Sequence, residues 1–216
     1  MKNKILNITN GDAFNQYFLK NFGGTAVPFR EVMMDGDTVH DIFSDAFVKL
    51  RSAELNVSTD EYRANMLVCD ALKNDYTELV LWFGKDTFCQ MNLLTLLAYL
   101  EQTNYHGKVT LNYIDDETFE VLDSNINIEL GTYKKLYEEI LISKHIPNNT
   151  GVLDKTAIEL YFDYHSADGK LVQMVRENAD REHMELLCLL LCNSKEYGLS
   201  DVQAQELVKK YKQKRN

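Results

Sequence analysis

The sequence predicts an α/β protein: a mostly parallel sheet of about four or five strands flanked by helices, followed by an all-helical C-terminal part. Three observations carry this expectation. Short apolar runs of strand length alternate with segments whose apolar residues recur at helical spacing. One run, Glu78–Gly84 (ELVLWFG), is almost continuously apolar and ends in glycine, the pattern of a strand buried on both faces. Beyond the loop Pro147–Gly151 (PNNTG), every segment reads as helix.

Taken in chain order, Lys4–Thr9 (KILNIT) is a short buried strand, broken by Asn10-Gly11-Asp12. Asp12 can cap a helix over Ala13–Asn21, with Phe14, Tyr17 and Phe18 on one face and Gly23-Gly24 at its end. Thr25–Glu31 (TAVPFRE) is a second strand, in which Pro28 suits an edge or a strand start. After the turn Asp35-Gly36-Asp37, the segment Thr38–Leu55 predicts one helix from Val39, Ile42, Phe43, Ala46, Phe47 and Leu50. Ser58 and Glu61 form a capping-box pattern ahead of a helix over Tyr62–Lys73. The strand Glu78–Gly84 leads into an amphipathic, leucine-rich helix over Asp86–Gln102, where Thr87 and Gln90 have capping-box spacing. Lys108–Ile114 (KVTLNYI) is the next strand, Asn125–Leu130 (NINIEL) a fifth, and Thr132–Ser143 a helix. The C-terminal helices are expected near Asp154–His165, Gly169–Glu177, Arg181–Ser194 and Ser200–Lys212, the last opened by Ser200 with Gln203. The chain thus divides into an α/β domain over residues 1–146 and a helical domain or layer over residues 151–216.

The composition is that of a globular chain: 216 residues, 45% hydrophobic and 26% charged. The longest strongly apolar run, Met184–Cys192, falls far short of the ~18 residues of a membrane span. Net charge is −10, and residues 1–150 carry 22 acidic against 13 basic side chains. A body of that sign repels phosphate backbones and makes broad nucleic-acid binding unfavourable. Cys69, Cys89, Cys188 and Cys192 form no CxxC pair, and all four read as reduced core cysteines. The N-terminus MKNKILNITNGD has no signal-peptide apolar stretch, so the expected location is cytoplasmic.

Familiar catalytic signatures are missing: no GxGxxG, no GxxxxGK[ST], no GxSxG, no HExxH. The five histidines are scattered, and His40 is notable only for following the Asp35-Gly36-Asp37 turn. No metal-ligand cluster is legible, and the cofactor is unknown from the sequence. In open α/β sheets, however, ligands bind outside the carboxyl ends of the strands. Here those ends carry Asn10-Gly11-Asp12, Arg30-Glu31, Gly84-Lys85-Asp86 and Asp115-Asp116. Gly11 admits close backbone approach, Arg30 can fork onto a carboxylate or phosphate, and Asp12 and Glu31 can bind a hydroxyl or a cation. The candidate ligand-binding set is Asn10, Gly11, Asp12, Arg30, Glu31, Asp86 and Gln90. Each has a structural alternative: Asp12 as a helix cap, Gln90 as part of a cap, Arg30 or Glu31 in an internal ion pair, Asp115-Asp116-Glu117 as a solvated turn. Arg30 and Glu31 face opposite ways on a regular strand, so one pocket does not hold both.

Three segments taken together, ILNITNGDA, PFREVMMDG and LWFGKDTFCQMNLLTLLAYL, resemble the bacterial domain of unknown function 1835 over about residues 4–114. The resemblance rests on Asn10-Gly11-Asp12, Arg30-Glu31 with Gly36, and Trp82, Asp86, Gln90 and Leu93. Gly198-Leu199-Ser200 with Leu207 is similar to the family's C-terminal pattern, whereas Asp37 stands where the family commonly has proline. The resemblance implies no enzymatic activity. It does mark the positions already found at the strand ends.

The sequence therefore favours a small polar ligand, phosphorylated or nucleotide-like, at the carboxyl edge of the sheet. The alternative is an interaction or DNA-associated module built from the C-terminal helices, with Arg181–Ser194 and Ser200–Lys212 as a helix-turn-helix and a basic tail through Lys214 and Arg215. Asp154–His165 and Met184–Leu191 are apolar enough to form a homodimer face.

Overall fold

A computed structural model describes residues 4–212; Lys214 and Arg215 of the basic tail lie outside them. Five strands form one sheet in the order β2-β1-β3-β4-β5. They are β1 (Ile5–Asn10), β2 (Ala26–Phe29), β3 (Glu78–Phe83), β4 (Lys108–Ile114) and β5 (Val121–Ile128). The first four are parallel, and β5 returns antiparallel beside β4. The expected mostly parallel sheet with an all-helical C-terminal part is the fold observed.

The two faces of the sheet are unequal. Leu6 and Ile8, Leu79, Leu81 and Phe83, and Val109, Leu111 and Tyr113 alternate onto one face and join the main core. Helix α1 (Asp12–Asn21) lies on the other face, with Phe14 and Phe18 packed on Ile114 and Trp82. Phe14 and Trp82 have ring centroids 5.8 Å apart, and the Trp82 indole donates to Asn7 Oδ1 at 3.0 Å.

The segment Thr38–Leu55 is not one helix. Helix α2 spans Asp45–Glu54 and starts only after Phe43 adopts φ +60° and Ser44 accepts from the Phe47 amide. The cause lies far along the chain: Gln102 brackets the Ile42 amide and carbonyl at 2.9 and 3.0 Å, and the Tyr137 hydroxyl donates to the Val39 carbonyl at 3.0 Å. The loop just before this segment is organised by Arg51, which is fully buried. Its Nη1 donates to the carbonyls of Asp35 and Asp37 at 2.7 and 3.1 Å, and its Nη2 to the Val32 carbonyl at 2.8 Å. A guanidinium inside a core needs acceptors, and a loop supplies carbonyls that a helix would consume. Its charge is met by Glu31, also fully buried, with Nε to Oε1 at 2.9 Å. The other Glu31 oxygen accepts the Tyr62 hydroxyl.

The expected helix Tyr62–Lys73 is broken at Met66 into α3 (Thr59–Asn65) and α4 (Leu67–Ala71). Helix α5 spans Thr87–Gln102, and twelve of its sixteen residues are buried, so it is a submerged helix and not an amphipathic one. Strand β5 begins four residues earlier than the expected Asn125, because it is an exposed edge strand without an apolar signature. Helix α6 (Tyr133–Tyr137) continues as a π-helical turn, Glu138–Ile142.

The C-terminal part comprises α7 (Lys155–His165), α8 (Lys170–Glu177), α9 (His183–Cys192), a short 3-10 turn at Lys195–Tyr197, and α10 (Asp201–Tyr211). Its apolar cluster includes Leu160, Leu171, Val175, Leu186, Leu190 and Leu207, and takes in Met34 from the α/β part. Of the four cysteines, Cys89 is buried and Cys69 half-buried, while Cys188 and Cys192 are exposed, not core residues. Among the described residues no helix is long and apolar enough to cross a membrane.

The Arg51–Glu31 pair tests this account of the loop. Arg51→Met leaves the Glu31 carboxylate buried without its cation and is expected to cost about 3–5 kcal/mol in urea unfolding. A loss below about 1 kcal/mol would mean that water reaches the pair and that the loop is not ordered around it.

Candidate functional site

The carboxyl edge carries all seven nominated residues, and the chain sorts them into separate environments. Gly11, not Asp12, is the cap position of α1, and Asp12 is the first helical residue. The Asp12 carboxylate instead receives Arg30, with Nη2 to Oδ1 at 2.8 Å and Nε to the two oxygens at 3.0 and 3.1 Å. Arg30 also donates to the Asn65 carbonyl at 3.3 Å. This ion pair lines a hollow of about 440 Å³ with Leu55, Val57, Tyr62 and Met66. The guanidinium expected to grip an external anion therefore already holds an internal one. The expected strand Thr25–Glu31 ends at Phe29, so Arg30 and Glu31 lie in the loop beyond β2, and Glu31 is enclosed apart from Arg30, with Arg51 and Tyr62.

Asn10 sits where β1 meets β3, the point at which the strand order reverses. Its amide donates to Cys89 Sγ at 2.7 Å and accepts from Asn92 at 3.0 Å. Side chains thus fill the crevice at the switch point. Gln90 does not close the start of α5. Its amide donates to the Gly84 carbonyl at 2.6 Å and its oxygen accepts the Asp154 amide at 2.9 Å, so it ties β3 to the start of α7. Asp86 is the true cap of α5, accepting from the Cys89 amide at 2.9 Å.

Asp86 is also the nominated residue that opens on a large cleft. About 800 Å³ lies over the carboxyl ends of β3 and β4, one strand away from the switch point, and is roofed by α7 and the turn after α9. Asp116 faces Asp86 there. Asp86, Cys89 and Asp116 each offer a ligand atom within 4.8 Å of the others. The Asp116 residue is largely exposed, but its carboxylate turns inward, where Cys89 Sγ donates to it at 3.4 Å.

Two glycines make that inward turn possible. A Cβ on Gly84 would overlap the Asp116 carboxylate, and a Cβ on Gly198 would overlap that of Asp86. Gly198 also takes φ +66°, a left-handed conformation suited to glycine. Thr87 locks the same seam by donating to the carbonyls of Ala157 and Glu196 at 3.1 and 3.2 Å.

The electrostatics follow from proximity. Burial, then hydrogen bonding and repulsion from Asp86, push the Asp116 carboxyl up to about 8. The Asp116 carboxyl therefore holds a proton near neutral pH. Burial, with the charges of Asp86 and Asp116, also drives the Cys89 thiol well above its usual range. Cys89 stays protonated, which makes it a poor nucleophile and a weak metal ligand. Asp115, next in sequence, behaves differently: the amides of Thr118 and Glu117 lower its carboxyl, giving the solvated acidic turn expected.

Sequence reasoning passed over Asp116 because it stood in that turn. A single sequence does not show its inward aim, since the space it occupies is created by Gly84 and Gly198. His40 is exposed and touches only Glu138 at 3.3 Å. In α10, the second helix of the expected helix-turn-helix, Gln203 is buried and its amide donates to Asp35, while Asp201 and Val202 are exposed. No protein-family model, curated protein or solved structure matches the chain.

The Asp116 proton has a sign that can be checked. Between the usual carboxylate range and a pH of about 8, the folded chain binds a proton that the unfolded chain lacks, so stability falls as pH rises through that window. Asp116→Asn is expected to flatten this fall and to raise the melting temperature at high pH, read as Tm at pH about 5 to about 9. Parallel curves for the two proteins would show that Asp116 carries no extra proton.

Proposed function

We propose that the chain binds a small polar ligand in the cleft over the carboxyl ends of β3 and β4, with Asp86 and Asp116 as its polar contacts. The observation that carries this reading is the facing carboxyl pair at the floor of an 800 Å³ cleft. A pocket of that size suits a metabolite, and convergent groups with a perturbed pKa mark binding sites.

The lining selects the chemistry. Asp86, Asp115, Asp116, Glu117 and Asp154 outnumber Lys85 and Lys195, and Lys195 is already paired with Glu117 at 2.9 Å. A bare phosphate meets repulsion there. Hydroxyl or ammonium groups fit, and a phosphorylated or nucleotide-like ligand fits when a divalent cation accompanies its phosphate. This moves the ligand contacts away from Arg30 and Asp12, whose charges satisfy each other. The reading is one of binding; no reaction is assigned, since the buried thiol is protonated.

Thermal shift against nucleotides with and without Mg²⁺, amino sugars and polyamines tests it. A ligand at about 100 times its Kd adds about 2.7 kcal/mol. The increment is expected to vanish in Asp116→Asn and to persist in Arg30→Ala. No increment from any class, or one lost in Arg30→Ala and kept in Asp116→Asn, would overturn the reading.

A further inference from the structure

Helix α9 carries three sulfur side chains at a spacing of four residues: Met184, Cys188 and Cys192. That spacing sets them along one face, one turn apart. Leu186, Leu187 and Leu190 anchor the opposite side in the C-terminal core, so the helix is held rigid beneath them. Met184 is 67% exposed, and both cysteines are exposed. Among the described residues neither thiol has a hydrogen-bond partner. Exposed thiols on a buried leucine scaffold are unusual, because free cysteine is ordinarily among the most buried residue types.

The geometry separates two fates for this pair. A disulfide needs Cβ atoms about 3.5–4.5 Å apart, whereas residues one helical turn apart hold theirs at about 5–6 Å. Oxidation within the helix therefore requires unwinding it. A bridging metal has no such conflict. Two metal–sulfur bonds of about 2.3 Å span up to about 4.6 Å between sulfurs, close to the about 5–6 Å that separates side chains one helical turn apart. Thiolate and thioether donors select soft cations, whereas Glu185, three residues before Cys188, is a donor for hard ones.

We propose that Cys188 and Cys192 bind one soft cation of the monovalent copper type, with the Met184 thioether as a weaker third donor. Binding forms two metal–thiolate bonds and releases two protons to solvent, with no electron transferred. The site lies on the outer face of α9 and is independent of the Asp86–Asp116 cleft.

The test uses the full chain, reduced and under anaerobic conditions, competing for Cu(I) against bicinchoninate. One Cu(I) per chain is expected, with a thiolate-to-copper absorption band in the ultraviolet. Cys188→Ser or Cys192→Ser should each weaken binding by about 100-fold, and Met184→Leu by less than about 10-fold. Cys69→Ser should leave it unchanged. All four positions can be altered with the fold monitored by circular dichroism, and the two α9 thiols are exposed, so loss of binding is separable from unfolding. Full binding retained in either α9 serine variant would overturn the proposal. So would copper uptake that appears only with dimer formation on size exclusion, since the ion would then bridge two chains.

Discussion

Helix α5 is buried on nearly every side, and the molecule is arranged around the polar side chains it carries into the core. An unsatisfied buried polar group costs about 1–3 kcal/mol, so each of these residues must find a partner. The partners they find are the loops. Thr87 takes the carbonyls of Ala157 and Glu196, and Gln90 takes Gly84 and Asp154. Asn92 holds Asn10, the Glu31 carbonyl and the Met33 amide. Gln102 brackets Ile42 through both amide and carbonyl, and Glu101 receives four successive amides from Gly131 to Lys134. One helix thereby fixes the end of β1, both ends of the loop between β2 and α2, the entry to α6, and the attachment of the C-terminal helices. Among the described residues no buried side-chain nitrogen or oxygen lacks a partner.

The cleft is a consequence of this arrangement. The amino end of α5 is where the sheet stops and the C-terminal layer begins, because Thr87 and Gln90 bind both. Asp86 caps the helix there and cannot move away without freeing an α5 amide. The hairpin from β4 to β5 then brings Asp116 over Gly84, and the turn after α9 brings Gly198 against Asp86. Two carboxyls meet because three separate segments lean on one helix end. None of the three would place them so by local preference alone.

What was legible in the sequence divides along the same line. Strand β3 was readable from its continuous apolar run, and β1 and β4 from apolar residues such as Leu6 and Ile8 or Val109 and Leu111 at every second position. Helix α10 was readable from Ser200 and Gln203, whose reciprocal capping bonds are both formed. Where a single long-range partner decides the structure, local pattern misled. Val39, Ile42 and Phe43 have helical spacing, yet Gln102 and Tyr137 take the Ile42 and Val39 backbone groups that a helix would use. Leucine-rich α5 looked amphipathic because its buried polar residues were counted as surface. Cys188 and Cys192 looked buried because the run LLCLLLC is apolar throughout, and helical periodicity alone did not say which side faces the core. The seven nominated residues do share one edge of the sheet, as strand ends must. Their partners sort them, and those partners lie far away in sequence.

That sorting bears on where a ligand acts. Glu31 is neutralised by Arg51, Asp12 by Arg30, Glu117 by Lys195, and Asp115 by turn amides. Each of these charges has its answer within the chain. Asp86 and Asp116 are different, because each faces the other and neither has a cation beside it, and Asp116 keeps a proton. A group that donates hydrogen bonds or carries positive charge can replace that proton, and ionising both carboxyls then strengthens its binding. Ligand affinity and the proton are therefore linked. A ligand that binds the ionised pair releases the proton, so its affinity rises with pH through the same window in which the empty chain loses stability. The charge balance of the carboxyl edge thus favours this cleft over the hollow at Arg30 as the place where an outside molecule changes the state of the protein.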